Sequence, residues 1–307
     1  MKRRKRMSTK TADRIFDTCN TIFMLFIIVV MLYPMLNTLA ISFNNATDSL
    51  RGGITLWPRI FTTNNYRVVF ENPRLITAFR NSVLRTVIST VGGVFVCAMA
   101  GYIVARRDFV FGKFVTIYFL ITMYVSAGLI PTFFLFRDLG LVNSFHVYWV
   151  PGLFGAFNVI VIRAFIHGLP DSLIEAAQID GAGEFRTFIQ IVLPLCKPVL
   201  ATVGLWIAVG NWNDWWTTFI YAPTNDSLTV LQFELHRVLA SAMAQMSAQQ
   251  AGFIAQQAAG TGGAFENITP VAIRATITIV ATIPILCVYP FLQKYFVKGV
   301  HVGSVKG

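Results

Sequence analysis

The chain has 307 residues, of which 55% are hydrophobic and 13% are charged, and its net charge at pH 7 is +11. A soluble domain carries about a quarter charged residues, so the composition excludes an ordinary soluble protein and indicates an integral membrane protein. The positive charges flank apolar runs and form no basic face with interleaved aromatic residues, so we expect no nucleic-acid partner.

Six apolar runs follow one another along the chain, each about 20 residues long, as a bilayer crossing requires. They predict transmembrane helices at residues 17–41, 82–104, 114–136, 146–167, 198–220 and 270–293. The first run is too long for a signal-peptide core, so we interpret it as an uncleaved helix. The predicted fold class is all-α and integral to the lipid bilayer, with six transmembrane helices.

Six spans place both termini on one side, and the basic segment KRRKR beside the first helix favours the cytoplasm. We therefore predict a basic cytoplasmic N terminus at residues 1–16, a transmembrane domain at 17–295 and a cytoplasmic tail at 296–307. Two long segments, 42–81 and 221–269, then face outward. The second is rich in Ala, Gln and Met and is either a partner-docking element or a solvated cap.

The connection at residues 170–194 is polar and interrupted by glycines, although apolar runs flank it. Pro170 is expected to end the preceding span, and Ser172 followed by Glu175 fits a capping box at the start of a helix. From the residues alone, this connection is either a helical loop lying on the membrane or a rigid projection.

Two short helices are expected within this connection. Gly181 and Gly183 interrupt the first helix, and the second is predicted at residues 184–194. The small side chains of Ala176 and Ala177 permit another surface to approach closely.

The same connection contains the pattern E-A-A, three residues, G, nine residues, I, any residue, L-P, which resembles the EAA loop of ABC importer permeases. The matching positions are Glu175, Ala176, Ala177, Gly181, Ile191, Leu193 and Pro194. The stretches GYIVARRDFVFGK, GNWNDWW and YFVKGVHVGSVKG are similar to the carbohydrate-importing, maltose-permease-like branch. The resemblance covers nearly the whole chain beyond the N-terminal tail, and it is greatest to permeases of Gram-positive bacteria for complex oligosaccharides.

The resemblance implies a type I ABC importer permease bundle in the bacterial cytoplasmic membrane, working by alternating access. It implies that a cytoplasmic EAA helix couples the bundle to separate ATPase subunits. The implied partners are a second homologous permease, an ATPase dimer, an extracellular solute-binding protein and an oligosaccharide. The implied coupling residues are Glu175, Ala176, Ala177, Asp180, Gly181, Ile191, Leu193 and Pro194, with Glu175 either meeting a basic group or only capping its helix.

The C-terminal tail resembles the family segment that reaches the ATPase interface, which assigns ATPase contacts to Lys298, Gly299 and Gly303. The basic, glycine-rich composition of this tail equally suits a frayed end.

No cofactor is expected on this chain. It has no G-x-x-x-x-G-K-[ST] loop, so ATP and Mg²⁺ are expected on the ATPase subunits. The histidines and cysteines have no metal-ligand spacing, and no nucleophile–base pattern is present, so we expect neither a metal site nor a catalytic residue.

Polar and aromatic residues in or near the predicted spans are candidates for the substrate pathway. They are Tyr124, Asn158, Asn211, Trp212, Asn213, Asp214 and Trp215. Alternatively, the tryptophans form an aromatic belt at the membrane interface with Asp214 outside the hydrocarbon, and Tyr124 and Asn158 make helix–helix hydrogen bonds.

An ion-coupled carrier is the alternative function. Such a carrier needs a carboxylate within the membrane, and Asp214 is the only carboxylate inside a predicted span and away from its ends. The arginines between Arg51 and Arg80 either meet an acidic binding protein or attract an acidic glycan.

Overall fold

A long, exposed helix begins the part of the chain that the structure describes. The structure is a computed structural model and describes residues 9–238, 240 and 269–303. Helix α1 (Thr9–Ser42) leaves its apolar length exposed, as expected of a helix that faces lipid. It includes the whole first predicted span, and KRRKR lies outside the described residues.

Helices make up most of the described chain. After α1 come α2 (Ala46–Ser49), α3 (Asn64–Glu71), α4 (Pro73–Ala105), α5 (Gly112–Tyr124), α6 (Leu129–Asp138), α7 (Ala156–Ile166), α8 (Ser172–Ile179), α9 (Glu184–Thr187), α10 (Leu193–Leu195), α11 (Lys197–Asn213), α12 (Trp216–Tyr221), α13 (231–238) and α14 (Pro270–Gly303). A 3₁₀ turn occupies Phe145–Tyr148, and a π-helical turn occupies Phe188–Val192. Within the described residues, the only extended pairing is an isolated bridge between Asn44 and Phe61.

Two described helices, α1 and α4, are each long and apolar enough to cross a membrane. The number rises to four if each of two bent pairs forms one span, and α7 and residues 271–287 are shorter apolar helices. The all-α membrane fold is as predicted, whereas the count of six spans stays a prediction. The second span was predicted too short, because α4 begins at Pro73, where Asn72 accepts a capping hydrogen bond from the Arg74 amide (3.0 Å).

The third predicted span is not a straight helix. It is divided into α5 and α6, which meet at an angle of 114°. The chain turns at Gly128, whose φ of +85° favours glycine, and the Gly128 amide donates to Ser126 Oγ (3.2 Å). Pro131 lies in the first turn of α6, where a proline costs no internal hydrogen bond.

The fourth and fifth predicted spans are also interrupted. The fourth is a 3₁₀ turn, an irregular stretch around Pro151 and then α7, so its regular helix covers only 11 residues. The fifth ends as α11 at Asn213 and resumes as α12 at Trp216, with Asp214 in an extended conformation between them.

One compact unit contains the described parts of Met1–Glu71 and Val238–Val280. Asn37 on α1 donates to two carbonyl groups of the loop that follows (2.6 and 2.9 Å). The buried Asn44 donates to the carboxylate of Asp48 (2.9 Å). Side-chain amides thus satisfy the backbone of this loop in place of regular secondary structure.

The other compact unit contains the described parts of Asn72–Arg237 and Ala281–Gly307. Its hydrophobic core lies where α4 packs against α7, α11 and the π-helical turn. The fully buried side chains of this core include Cys97, Val159, Ile162, Phe188, Val192 and Val203. The four cysteines are free thiols; Cys97 and Cys196 are buried, whereas Cys19 and Cys287 are exposed.

The crossing of α4 and α7 depends on Gly101. A Cβ at this position would lie 3.0 Å from Ile162 Cγ2 and 3.3 Å from the Arg163 amide nitrogen. Glycine therefore permits the two helices to approach closely, as small residues do where membrane helices cross.

The last helix, α14, includes the whole sixth predicted span with Pro284 and Pro290 inside it. It continues to Gly303, so the predicted boundary between the span and a separate tail at residue 296 does not coincide with a helix end. The Ala-, Gln- and Met-rich stretch and the GTGG sequence, at residues 241–268, lie outside the described part of the chain.

Candidate functional site

The connection at residues 170–194, which we call the bent loop, consists of two short helical arms joined by a sharp turn. The first arm is α8, and the turn follows at Gly181, whose φ is +74°. The second arm runs from α9 through the π-helical turn into α10, and its axis makes an angle of 83° with α11. The predicted two helices and the break at Gly181 are confirmed.

One face of α8 packs onto the core and the other is exposed. Ala177 is buried, and Ile174 packs against the core formed by α4, α7 and α11. Ala176, Asp180 and Ile179 are exposed, with 86% of the Ile179 side chain accessible. Ala177 was expected to form part of a contact surface for a partner; the structure instead places it inside this chain, because it shares the inward face of the helix with Ile174.

The predicted capping box at the start of α8 is wrong. The N-cap residue is Asp171 in a helical conformation, and it makes no side-chain capping hydrogen bond, while Ser172 lies within the helix. Asp171 instead forms an ion pair with Arg107, with 2.5 Å between Nη2 and Oδ2. Glu175 is exposed in the first turn of the helix, where a negative charge interacts favourably with the helix dipole.

The second arm of the bent loop packs on the same hydrophobic core as the first. Phe188 and Val192 are buried, and Leu193 packs against the same core. Ile191 is partly buried, and Pro194 is exposed at the start of α10. Leu193 is therefore the matched position of the second arm that packs on the helical core, together with the unmatched Phe188 and Val192, whereas the matched positions of α8 other than Ala177 face outward.

Glu184 was not identified from the sequence, yet its carboxylate is at the centre of the bent loop. Oε2 accepts a hydrogen bond from Tyr102 Oη (2.7 Å), and Oε1 accepts from Arg106 Nη2 (3.1 Å) and from Gln178 Nε2 (3.2 Å). Tyr102 and Arg106 lie about 80 residues earlier in the chain, at the end of α4. No local sequence pattern indicates partners at that separation.

A cavity of about 260 Å³ lies between the bent loop and the end of α4. Its lining residues include Tyr102, Arg106, Arg107, Asp108, His167, Asp171, Glu175 and Gln178. Arg106 also pairs with Asp108 (2.9 Å), and this hydrogen bond lowers the pKa of the Asp108 carboxyl below its usual value. Opposite charges along the wall of the cavity thus neutralise each other. Such a site can hold helices in position, and it offers no activated nucleophile.

The substrate-pathway candidates around residue 214 are mostly engaged within the chain. Asp214 pairs with Arg85 on α4 and accepts a hydrogen bond from the Thr217 hydroxyl (2.5 Å). The buried Trp212 donates from Nε1 to the carbonyl of Ala281 (2.9 Å). These side chains fix the break between α11 and α12.

The other pathway candidates do not form one cluster. Asn211 donates to the backbone one turn earlier (2.9 Å), and Asn213 accepts a weak hydrogen bond from an amide on α13 (3.4 Å). Trp215 stacks on His236 with 4.0 Å between ring centroids. Asn158 is partly buried at the start of α7, whereas Tyr124 is 85% exposed at the break between α5 and α6.

The distal segment (residues 222–237) is bound to the N-terminal part of α4. Arg74 pairs with Asp226 (2.7 Å) and with the buried Glu234 (2.8 Å). Asn81 donates to two carbonyl groups of the segment (2.8 and 2.9 Å), and Ser82 Oγ accepts from a backbone amide of α13 (2.9 Å). This part of residues 221–269 is therefore packed on α4, and the choice between a partner-docking element and a solvated cap stays open for the whole segment.

Lys298, Gly299 and Gly303, assigned to ATPase contacts by resemblance, lie along the end of α14. Among the described residues, no three or more histidine, cysteine and carboxylate side chains lie together in a way that could hold a metal ion.

Known proteins resemble this chain in sequence and in fold. A family model described as a binding-protein-dependent transport system inner membrane component matches residues 93–302. Protein LplC of Bacillus subtilis is 34% identical over 303 residues, which is 98% of each chain. The polygalacturonan/rhamnogalacturonan transport system permease protein YtcP of Bacillus subtilis is 33% identical over 296 residues, covering 96% of this chain and 99% of that protein.

A solved structure has the same fold. The crystal structure of a bacterial ABC transporter involved in the import of the acidic polysaccharide alginate contains a chain that matches with a TM-score of 0.81 at 24% identity. The match covers 93% of this chain and 98% of that chain.

Proposed function

Since the chain belongs to the family of binding-protein-dependent transport system inner membrane components, we propose that it is a permease subunit of an ATP-driven oligosaccharide importer. As a permease, the chain is a transport component and not an enzyme. The proposed transporter alternates between two openings, and the chain forms the membrane pathway together with a second, homologous permease.

The observation that carries this proposal is the exposed outer face of α8 on a firmly anchored bent loop. The second arm is packed into the core, whereas Glu175, Ala176, Asp180 and Ile179 face outward. A rigid, mixed polar and apolar projection of this kind suits a groove on another protein. We propose that α8 docks on an ATPase dimer and that Ala177, Gly181, Ile191, Leu193 and Pro194 hold it in the docking geometry.

The energy comes from the ATPase subunits in this proposal, and ATP with Mg²⁺ binds there. Closure of the ATPase dimer displaces α8, and that displacement biases the membrane helices toward one of their two openings. A bound partner shifts such an equilibrium only through its different affinities for the two states. An extracellular solute-binding protein delivers the oligosaccharide on the opposite side.

We propose the orientation with both termini in the cytoplasm, so that residues 1–16, the bent loop and residues 296–307 share one side. In this arrangement Lys298, Gly299 and Gly303 at the end of α14 reach the ATPase. The membrane domain is residues 17–295.

The proposed substrate pathway passes Tyr124, Asn158 and the polar break around Asp214. Tyr124 is the most exposed of these side chains, and its ring offers an apolar face for a sugar. Asp214 contributes by holding Arg85 and keeping the break between α11 and α12 in place. Because its carboxylate is already paired with an arginine, it is poorly suited to the ion-coupled carrier.

One relative is named for polygalacturonan and rhamnogalacturonan transport, which raises the question whether the substrate is acidic. Among the arginines between residues 51 and 80, Arg59, Arg67 and Arg74 form ion pairs within the chain. Their charge is therefore largely neutralised, so these three side chains support docking of an acidic binding protein or glycan only weakly. Oligosaccharide is accordingly the substrate class that we propose, without assigning its charge.

Reconstitution tests this function. The chain is placed in liposomes together with a homologous permease, an ATPase and a solute-binding protein, with oligogalacturonides and maltodextrins as separate probes. We expect uptake of one of the two probes. This uptake should require ATP on the side of the membrane where the ATPase lies and the binding protein on the opposite side. Uptake that an ionophore abolishes and that persists without ATP would establish the ion-coupled carrier instead.

A further inference from the structure

The carboxylate of Glu184 joins three helices at one point. It is the first residue of α9, and it accepts hydrogen bonds from Tyr102 and Arg106 at the end of α4 and from Gln178 on α8. The turn at Gly181 lies between the two arms that this carboxylate connects. Removing the carboxylate would leave the end of α4 joined to the bent loop only by the exposed Arg107–Asp171 ion pair among the polar contacts of the described residues.

The two sides of this junction differ in burial. The Tyr102 side chain is buried, and its ring lies 5.4 Å from that of the buried Phe188. The side chain of Glu184 is 58% exposed. An ion pair with this much exposure contributes little to stability, so replacing Glu184 should leave the fold intact and act on the position of the bent loop relative to α4.

Helix α4 extends from this junction to the distal segment. Its 33 residues correspond to a length of about 50 Å. At its other end, Arg74, Asn81 and Ser82 bind the distal segment through hydrogen bonds and ion pairs. One continuous helix is therefore attached by polar contacts to the bent loop at one end and to the distal segment at the other.

We propose that Glu184 is a positioning residue that locks the bent loop to α4, so that α4 carries a displacement of the loop to the distal segment. This inference rests on the proposed function, in which an ATPase moves α8. It assigns transmission to α4 and to one carboxylate outside the E-A-A pattern.

Spin labels at two positions distinguish movement of the bent loop from movement of α4. After Cys19 and Cys287 are replaced by serine, a spin label is attached either at Ala176→Cys, on the exposed face of α8, or at Ile76→Cys, near the start of α4. The complete complex with its ATPase is then compared with and without AMP-PNP and Mg²⁺. In the otherwise unchanged complex, we expect the spectrum of each spin label to change when AMP-PNP and Mg²⁺ are added; this spectral change is the response of the label.

With Glu184→Gln we expect the label on α8 to respond as before, and the response of the label on α4 to be largely lost. Tyr102→Phe retains the ring and removes one hydrogen bond, so it serves as a milder second variant with a smaller loss in the same direction. Glu71→Gln disrupts an exposed ion pair with Arg67 elsewhere and is the matched control.

The results distinguish three cases. A full response at residue 76 in both Glu184→Gln and Tyr102→Phe overturns the inference. No response at either label in the unchanged complex overturns the proposed coupling itself. A lowered thermal unfolding midpoint with a full response at residue 76 would show a purely structural role and would also overturn the inference.

Discussion

The guanidinium of Arg85 and the carboxylate of Asp214 form an ion pair, with 2.5 Å between Nη2 and Oδ2, although 129 residues separate them in the chain. Arg85 is 2% exposed, its Nη1 donates to the Asp214 carbonyl (2.9 Å), and its charge lies 4.7 Å from the ring centroid of Tyr148. The pair fixes the break between α11 and α12 to α4 and compensates a buried positive charge.

Disrupting this pair should destabilise the chain strongly. Asp214→Ala leaves a buried arginine unpaired, which costs about 3–5 kcal/mol, so the thermal unfolding midpoint in detergent should fall clearly. Adding Arg85→Met to Asp214→Ala should recover part of the loss. Arg137→Gln, which disrupts an exposed pair with Asp138, is the control, with an expected change of about 0–1 kcal/mol. If Asp214→Ala lowers the thermal unfolding midpoint no more than this control does, Asp214 does not compensate the buried charge of Arg85.

Gly181 and Gly183 allow a test of the turn in the bent loop. Neither has an atom within 4 Å of an added Cβ, but Gly181 has φ +74° and Gly183 has φ −71°. Gly181→Ala should therefore cost about 1–2 kcal/mol through backbone strain and reduce ATP hydrolysis stimulated by the loaded binding protein. Gly183→Ala should change neither the stability nor the stimulated ATP hydrolysis by much. Equal effects of the two substitutions would show that the left-handed turn has no special role.

The crossing of α4 and α7 should not tolerate a larger residue at Gly101. Gly101→Ala places a methyl group 3.0 Å from Ile162 Cγ2, and such overpacking costs about 1–3 kcal/mol. Gly210→Ala, on α11 with open space at its Cβ, should be neutral or slightly stabilising. Thermal unfolding of the two variants in the same detergent provides the comparison, and a stable Gly101→Ala would show that the helices separate easily.

Acid should loosen the loop after α1. The hydrogen bond from Asn44, followed by the contacts with Arg59, holds the pKa of Asp48 below its usual 3.8. A lowered folded-state pKa means that this carboxylate stabilises the loop above pH 3.8 and that its contribution is lost as the pH falls through the lower, folded value. Hydrogen exchange at Asn45 and Ile60, corrected for intrinsic rates, should show protection falling in that range.

Asp48→Asn is the control for this pH dependence. Its loop should begin less protected at pH 6 and should lose little further protection on acidification, because no carboxyl remains to titrate. An unchanged acid transition in Asp48→Asn would assign the effect to another group.

The sequence predicted what depends on local patterns. Continuous apolar runs identified α1, α4 and α14, and the glycine at position 181 identified the turn of the bent loop, because few other residues accept a positive φ. The pattern around Glu175 identified the loop itself. These features are encoded within a few neighbouring residues.

Features that depend on distant contacts were missed or misjudged. The break at Gly128 interrupts a run whose hydropathy alone indicates one helix. Ser172 has the right spacing for a cap, but Asp171 takes that place and pairs with Arg107. The partners of Arg85 and Glu184 are known only once α4 is placed beside them, since no spacing rule connects residues so far apart.

The central claim is that the exposed face of α8 meets an ATPase, and cysteine cross-linking at two adjacent positions tests it most directly. Ala176 is exposed and Ala177 is buried, so each is replaced by cysteine in a chain whose Cys19 and Cys287 are serine. The complete complex is assembled with an ATPase that carries a single cysteine in its groove. We predict an efficient cross-link from position 176 that changes in yield with ATP, and little from position 177. Equal yields from both positions, or no cross-link from position 176 in a complex that hydrolyses ATP, would contradict this account.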